Sequence, residues 1–127
     1  MEFRNLLLID DDTDDQEIFI SAIEIISSEM ICTAMTDASA ALEKLLTSEL
    51  QPDVIFVDLN MPIMNGQEFV SRLKKVEQFQ SVPVIIFSTS ASPETIANTK
   101  ELGAADFITK PNSFNDLVKI LSSLFTN

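Results

Sequence analysis

Histidine, tryptophan and tyrosine are absent from the 127 residues, and glycine and cysteine are scarce. Without an imidazole, the chain cannot carry a Ser-His-Asp or Cys-His nucleophile pair, a histidine-rich zinc site or a phosphohistidine of its own. Its two glycines, Gly66 and Gly103, are too few for a GxGxxG loop and too far apart for a Walker phosphate-binding loop. These absences exclude imidazole-dependent enzymes and nucleotide binding through those loops.

The lone cysteine and the lack of a long apolar run bear on the compartment. Cys32 has no partner for an internal disulfide, and we expect it to be reduced and buried. The longest apolar run near the N-terminus, residues 6–9, is too short for a signal-peptide core or a membrane span. We therefore expect a cytoplasmic protein.

Basic residues are also scarce. Eight Lys and Arg face 20 Asp and Glu, which gives a formal net charge of −12. Nucleic acid and anionic lipid both require a basic footprint, so we expect neither as a partner. The acidic surface is compatible with cation binding, although solubility is its simplest interpretation.

Short apolar runs alternate with helical patterns along the chain. The pattern predicts strands over residues 6–9, 30–36, 53–58, 84–87 and 105–109, each followed by a helix. Such alternation is typical of an α/β fold with an open parallel sheet and helices on both faces. The length fits one domain, residues 1–127, and we expect no fused output domain.

Two of the predicted helices have distinctive patterns. The first, over residues 14–28, has an apolar stripe that we assign to Ile18, Ala22, Ile25 and Ile26. The fourth begins at the cap Ser92 and stops at Gly103. Because it has few apolar residues, we expect it to be the most weakly anchored helix.

Polar and charged side chains follow four of the predicted strands. The first strand ends in Asp10, Asp11 and Asp12, the third in Asp58, the fourth in Ser88 and the fifth in Lys110. Because ligands of open parallel sheets bind beyond the carboxyl ends of the strands, we expect these groups to share one crevice. Taken singly they have simpler interpretations, namely a cap of the first helix or a surface lysine. The prediction therefore depends on their convergence.

Clustered carboxylates require neutralisation. Two of them about 5 Å apart repel by roughly 3 kcal/mol at an effective dielectric near 20, so either one is protonated or a cation binds. Oxygen ligands suit Mg²⁺. A carboxylate beside a dication can attack phosphorus, with a hydroxyl and an ammonium stabilising the phosphoryl oxygens.

The chain resembles the receiver domain of bacterial response regulators over essentially its whole length. The matching stretches are residues 7–12, 52–62 with the pair 65–66, 83–88 and 103–111. The resemblance implies a flavodoxin-like (βα)5 fold with strand order 2-1-3-4-5. It also implies a function in two-component signal transduction.

The resemblance further implies roles at the site. Asp58 would accept a phosphoryl group, and Mg²⁺ would be bound by Asp10, Asp11, Asp58 and the backbone carbonyl of Asn60, with Asp11 preferred over Asp10 as a direct ligand.

Three further residues would respond to the phosphoryl group. Ser88 and Lys110 would bind its oxygens. Phe107 would act as the aromatic switch, at a position where the family often has Tyr.

The partners implied are a sensor histidine kinase or a histidine phosphotransfer protein as donor, and a separate downstream target protein. The chain would be a monomer or weak homodimer and would catalyse only its own phosphorylation and dephosphorylation. Two alternatives remain open from the residues: a receiver-like module that binds partners without phosphorylation, and a phosphatase with an aspartyl nucleophile.

Overall fold

A computed structural model describes residues 3–89 and 91–125 of the chain. Within them, five strands and five α-helices alternate, and a short 3-10 turn, Glu77–Phe79, precedes the fourth strand. The elements are β1 (Asn5–Ile9), α1 (Thr13–Ile26), β2 (Ile31–Met35), α2 (Ala38–Leu46), β3 (Val54–Val57), α3 (Gly66–Leu73), β4 (Val84–Ser88), α4 (Pro93–Leu102), β5 (Asp106–Thr109) and α5 (Phe114–Phe125).

The strands form one parallel sheet in the order β2-β1-β3-β4-β5. Leu8 of β1 lies between Ala34 and Phe56, and Ile86 of β4 lies between Val57 and Phe107. Strands buried on both faces consist of uninterrupted apolar residues, which explains why β3 is Val-Ile-Phe-Val. The predicted fold class and strand order are confirmed.

Each face of the sheet carries its own apolar cluster. One cluster packs α2 and α3 against the sheet, and the other packs α1 and α5 against the opposite face. The second contains three phenylalanine rings, with Phe19 5.0 Å from Phe56 and 5.5 Å from Phe87 in edge-to-face contact. The crossover helices therefore cover both faces, as right-handed parallel connections require.

The apolar stripe predicted for the first helix is partly wrong. The residues of α1 that face the sheet are Phe19, Ala22 and Ile23, whereas Ile18 is 46% exposed and Ile25 is 64% exposed. Isoleucines on the flank of the helix recur at the same spacing as the residues that face the sheet. The sequence pattern alone therefore does not distinguish the two faces. The bulky Phe19 determines which face is buried because it fills the space above β3 and β4.

Helix α4 is anchored weakly, as predicted. Ser92 caps it by accepting from the amide of Thr95, and Gly103 ends it in the left-handed region at φ 118°. Its buried residue is Thr99, whose hydroxyl donates to the carbonyl of Ile96 over 2.8 Å. Because this buried residue is polar and its hydroxyl bonds within the helix, little apolar area holds α4 to the sheet.

Cys32 lies half-buried on β2 as a free cysteine. Burial raises the pKa of its thiol to about 11, so the thiolate is scarce near neutral pH. The residue is therefore half-buried rather than buried as expected, and its reduced state stays a prediction.

In the described part of the chain, no helix combines the length and apolar character that crossing a membrane requires.

Candidate functional site

The carboxyl ends of the strands meet as predicted, and the backbone there is still bonded to the sheet. The amide of Asp58 donates to the carbonyl of Ile9 over 3.0 Å, and the amide of Lys110 donates to the carbonyl of Ser88 over 2.8 Å. Ser88 is the last residue of β4 and is fully buried. The reactive side chains therefore begin from positions that the sheet itself determines.

The carboxylate of Asp58 is held on both oxygens. Oδ1 accepts from the Ser88 hydroxyl over 2.8 Å and from the Asn60 amide over 3.4 Å. Oδ2 lies 3.3 Å from the ammonium of Lys110. Asp58 is 8% exposed, so the side chain has a defined orientation and still opens to the crevice.

Lys110 donates to several carboxylates at once. Its Nζ lies 2.7 Å from Asp10 Oδ2, 2.8 Å from Asp15 Oδ2 and 3.3 Å from Asp58 Oδ2. Burial acts to lower the pKa of Lys110, but the hydrogen bonds to Asp10 and Asp15 outweigh it and the pKa is raised. The amine therefore stays protonated, and it provides a permanent positive charge beside the acids.

Asp10, Asp11 and Asp58 each present a carboxylate oxygen within 4.8 Å of the others. Asp10 is buried, and burial raises its pKa although hydrogen bonds from Lys110 and the Asp12 amide oppose the rise. Asp11 is exposed. A set of three oxygen donors, two buried and one open to water, fits a hard divalent cation that retains part of its hydration shell.

The first turn of α1 closes one side of the crevice. Asp12 is the cap, since its carboxylate accepts from the amides of Asp14 and Asp15. The buried amide of Gln16 donates to the carbonyl of Asp10 over 2.7 Å and to that of Met35 over 3.0 Å. These bonds fix α1 relative to the acidic residues.

Sequence reasoning missed Asp15. Its carboxylate contacts the Lys110 amine from the first turn of α1 over 2.8 Å. The signal available was its place four residues after Asp11 in an acidic run, but helix capping accounts equally well for acids there.

The β3–α3 loop forms another wall. Asn65 caps α3 by accepting from Glu68 over 2.9 Å, and the Gly66 amide donates to Leu59 over 3.0 Å. A Cβ at Gly66 would collide with the carbonyl oxygen of Asp58. Glycine is therefore required here for the close approach of two backbones.

The two remaining predicted residues lie at the margin. Asn60 is exposed beside Asp58, and its backbone amide rather than its side chain contacts the Asp58 carboxylate. Phe107 on β5 is half-buried and packs against the cluster beneath α2 and α3. The roles predicted for both stay predictions.

The chain is thus an α/β domain with an open parallel sheet, and the acidic crevice beyond its strand ends holds Asp58 between a hydroxyl and an ammonium. A family model described as the response regulator receiver domain matches residues 6–122. The chain therefore belongs to the response regulator receiver family of two-component systems.

Relatives of known sequence agree. The chain is 32% identical over 118 residues to the two-component response regulator ORR11 of Oryza sativa subsp. japonica. The aligned region covers 93% of this chain and 78% of that protein. It is 29% identical to the hybrid signal transduction histidine kinase D of Dictyostelium discoideum, of which it spans 8%. Receiver sequence thus occurs in relatives of very different length.

Solved structures share the fold. The chemotaxis response regulator CheY4 of Vibrio cholerae superimposes with a TM-score of 0.80 at 27% identity, over 95% of this chain and 98% of that one. The Mn²⁺-bound response regulator Rcp1 superimposes with a TM-score of 0.85 at 23% identity, over 95% and 91%. The second likeness concerns the fold alone.

The family assignment confirms the resemblance found in the sequence. Receiver domains are in general non-enzymatic signalling modules that act with histidine kinases and downstream effectors. The acidic residues of this chain are compatible with a divalent metal and with a phosphoacceptor.

Proposed function

We propose that Asp58 accepts a phosphoryl group from a phosphohistidine on a partner protein and that the phosphorylated chain binds a separate target. The observation that carries the proposal is the held carboxylate of Asp58, with Ser88 2.8 Å from one oxygen and Lys110 3.3 Å from the other. Both donors are suited to bind the oxygens of a phosphoryl group once it arrives.

The transfer requires little covalent chemistry from the protein. A carboxylate oxygen of Asp58 attacks phosphorus, the phosphorus–nitrogen bond breaks, and the electron pair stays on the donor imidazole. The Lys110 ammonium and the Ser88 hydroxyl stabilise charge on the phosphoryl oxygens. The chain thereby promotes only its own phosphorylation, and by water attack its own dephosphorylation.

Asp10, Asp11, Asp58 and the backbone carbonyl of Asn60 would hold the cation, with Asp11 as the most accessible carboxylate. Oxygen donors without histidine or thiolate favour Mg²⁺ over softer metals. When bound, the ion neutralises the acids and polarises the phosphoryl oxygens.

Phosphorylation would change the surface formed by α4, β5 and α5. The Ser88 hydroxyl now bonded to Asp58 would move to the phosphoryl oxygens, and Phe107 on the adjacent strand would turn inward. The phosphoryl group shifts an equilibrium between two conformations of this surface. The small apolar area that holds α4 favours this helix as the responding element.

The donor is a sensor histidine kinase or a histidine phosphotransfer protein, and the output passes to a separate protein. A net charge of −12 disfavours nucleic acid and anionic membrane as partners. A cytoplasmic location fits a receiver that meets kinase domains there. The chain acts as a monomer or weak homodimer.

Acetyl phosphate with Mg²⁺ tests the proposal without a partner. Intact-mass spectrometry should show one added phosphoryl group on the wild-type chain and none on Asp58→Asn, because the amide is not a nucleophile. Chelation of the metal should abolish the addition to the wild type.

Asp53→Asn is the matched control, because Asp53 immediately precedes β3, at the end opposite Asp58. Its Oδ2 accepts from the amides of Arg4 and Asn5, and an asparagine oxygen can also accept them. This variant should be phosphorylated like the wild type. Full phosphorylation of Asp58→Asn, or none of the wild type, would overturn the proposal.

A further inference from the structure

The ammonium of Lys110 lies closer to two carboxylates near the start of α1 than to the proposed acceptor, Asp58. Its distances to Asp10 and Asp15 are 2.7 and 2.8 Å, against 3.3 Å to Asp58. The side chain of Lys110 is 10% exposed, so water screens these contacts only partly. The position of the amine is therefore set by a balance among the carboxylates.

Asp15 differs from the other two carboxylates. Asp10 and Asp58 follow strands and belong with Asp11 to the group that suits a cation, whereas Asp15 lies on a helix and outside that group. Its side chain is 33% exposed. The Asp12 cap and the Gln16 bonds fix the helical turn that carries it. Asp15 thus lies on a fixed helical turn and contacts Lys110 from outside the group of carboxylates that suits a cation.

We propose that Asp15 is a positioning residue that draws the Lys110 ammonium away from Asp58 and so tunes the binding of a phosphoryl group and of a cation at the site. This inference depends on the proposed function, because it concerns the same phosphoryl group and cation. Asp15 acts through Lys110 and does not itself contact the reacting atoms.

The position of Asp15 has two consequences of opposite sign. It weakens binding of a phosphoryl group, because it competes for the ammonium and adds negative charge near the phosphoryl oxygens. It strengthens binding of Mg²⁺, because it adds negative charge and keeps the ammonium from pairing fully with Asp58. A variant that merely damaged the site would weaken both.

Asp15→Asn tests the inference, with Asp14→Asn as the matched control. Asp14 is exposed on the same turn and loses the same charge, and no ion pair between described residues involves it. Calorimetric titration with MgCl₂ gives the dissociation constant of the metal. Titration with beryllium fluoride at saturating Mg²⁺ gives that of a phosphoryl mimic.

For Asp15→Asn we expect the Mg²⁺ dissociation constant to rise at least about threefold and that of beryllium fluoride to fall at least about threefold, as loss of a nearby, partly screened charge requires. Asp14→Asn should change each by less than about twofold, because water screens an exposed charge. Asp15→Glu keeps the charge, so both dissociation constants should stay closer to the wild-type values than they do in Asp15→Asn.

Changes of the same sign in both constants, or equal effects of Asp14→Asn and Asp15→Asn, would overturn the inference. So would unchanged constants in Asp15→Asn. If the wild type itself binds no beryllium fluoride with Mg²⁺, the proposed function fails. If the wild type binds it and Asp15→Asn matches the wild type, only the inference about Asp15 fails.

Discussion

Ile63 combines two properties that rarely occur together. Its φ is 69°, in the left-handed region that β-branched residues avoid, and its side chain is 91% exposed. It lies in the β3–α3 loop, five residues after Asp58. The backbone here is held by the turn that leads to the close approach at Gly66, so the strain is local to the wall of the site.

Replacement of Ile63 by glycine should stabilise the fold. Glycine adopts a positive φ without steric cost, so we expect the free energy of unfolding to rise by about 1 kcal/mol. Urea denaturation followed by far-ultraviolet circular dichroism measures it.

Ile18→Gly is the control, because Ile18 is exposed but lies inside α1. There the same replacement should lower stability by about 1 kcal/mol. A loss of stability in Ile63→Gly would show that its backbone is not strained.

At the scale of residues, the sequence predicted those whose place follows from topology. Asp10, Asp58, Ser88 and Lys110 follow or end strands, and strand ends of a parallel sheet converge. Asp15 could not be placed in this way, because its contact depends on how far the Lys110 side chain reaches and on which helical turn faces it. The same limit applies to Ile63, because its positive φ could not be predicted from the sequence.

Among the elements, the β3–α3 connection brings two stretches of backbone into close contact. The loop leaves the buried β3, passes Asp58 and returns so that Gly66 lies against the carbonyl of Asp58. A Cβ added at Gly66 would also lie 3.0 Å from the Leu59 Cα. The loop and the start of α3 are therefore packed backbone to backbone.

Gly66→Ala should separate these backbones. We expect a loss of about 1–3 kcal/mol in unfolding free energy, the range for overpacking a tight site, and slower phosphorylation of Asp58 by acetyl phosphate because its carbonyl must shift. Urea denaturation and the mass assay measure the two effects.

Gln67→Ala, one residue further into α3, is the comparison. It adds no atoms near Asp58 and should leave both quantities close to wild type. Wild-type stability and rate in Gly66→Ala would contradict the close approach.

Helix boundaries could be predicted better than helix faces. A capping residue with a defined chemical role gave the start of α4, where Ser92 accepts an amide hydrogen bond. The face of α1 was predicted partly wrongly because apolar residues surround much of that helix. Packing against Phe56 and Phe87 selects among such faces, and this contact is not visible in local periodicity.

For the molecule as a whole, acidic charge is concentrated where the sheet ends. The chain carries a formal charge of −12, and Asp10, Asp11 and Asp58 add repulsion within 4.8 Å. The folded state gathers these charges and the unfolded chain separates them. A cation that binds the gathered acids therefore stabilises the fold.

Mg²⁺ should raise the melting temperature. At ten times its dissociation constant a ligand specific for the folded state adds about 1.4 kcal/mol, which for a domain of this size corresponds to about 5 °C. Asp11→Asn should lose most of this rise, while Asp14→Asn should keep it. Differential scanning calorimetry measures the shift.

Sodium chloride at matched ionic strength separates site binding from screening. It should raise the melting temperature less than MgCl₂ does in the wild type. An equal rise with both salts, or an unchanged rise in Asp11→Asn, would argue against a metal site at these acids.

The overall architecture followed from alternation alone, since five short apolar runs separated by helical segments leave few parallel arrangements. The strand order required the family resemblance, because several orders satisfy the same alternation. That residues 1–127 act without a fused output domain stays a prediction.

The sheet's hydrogen-bond ladder continues beneath the reactive groups, through the amides of Asp58 and Lys110. The backbone at the floor of the crevice is thus held by the same hydrogen bonds as the core of the sheet. The loops above it lie outside this ladder. Insertions at the opposite rim, such as the turn between α2 and β3, leave the spacing of the reactive atoms untouched.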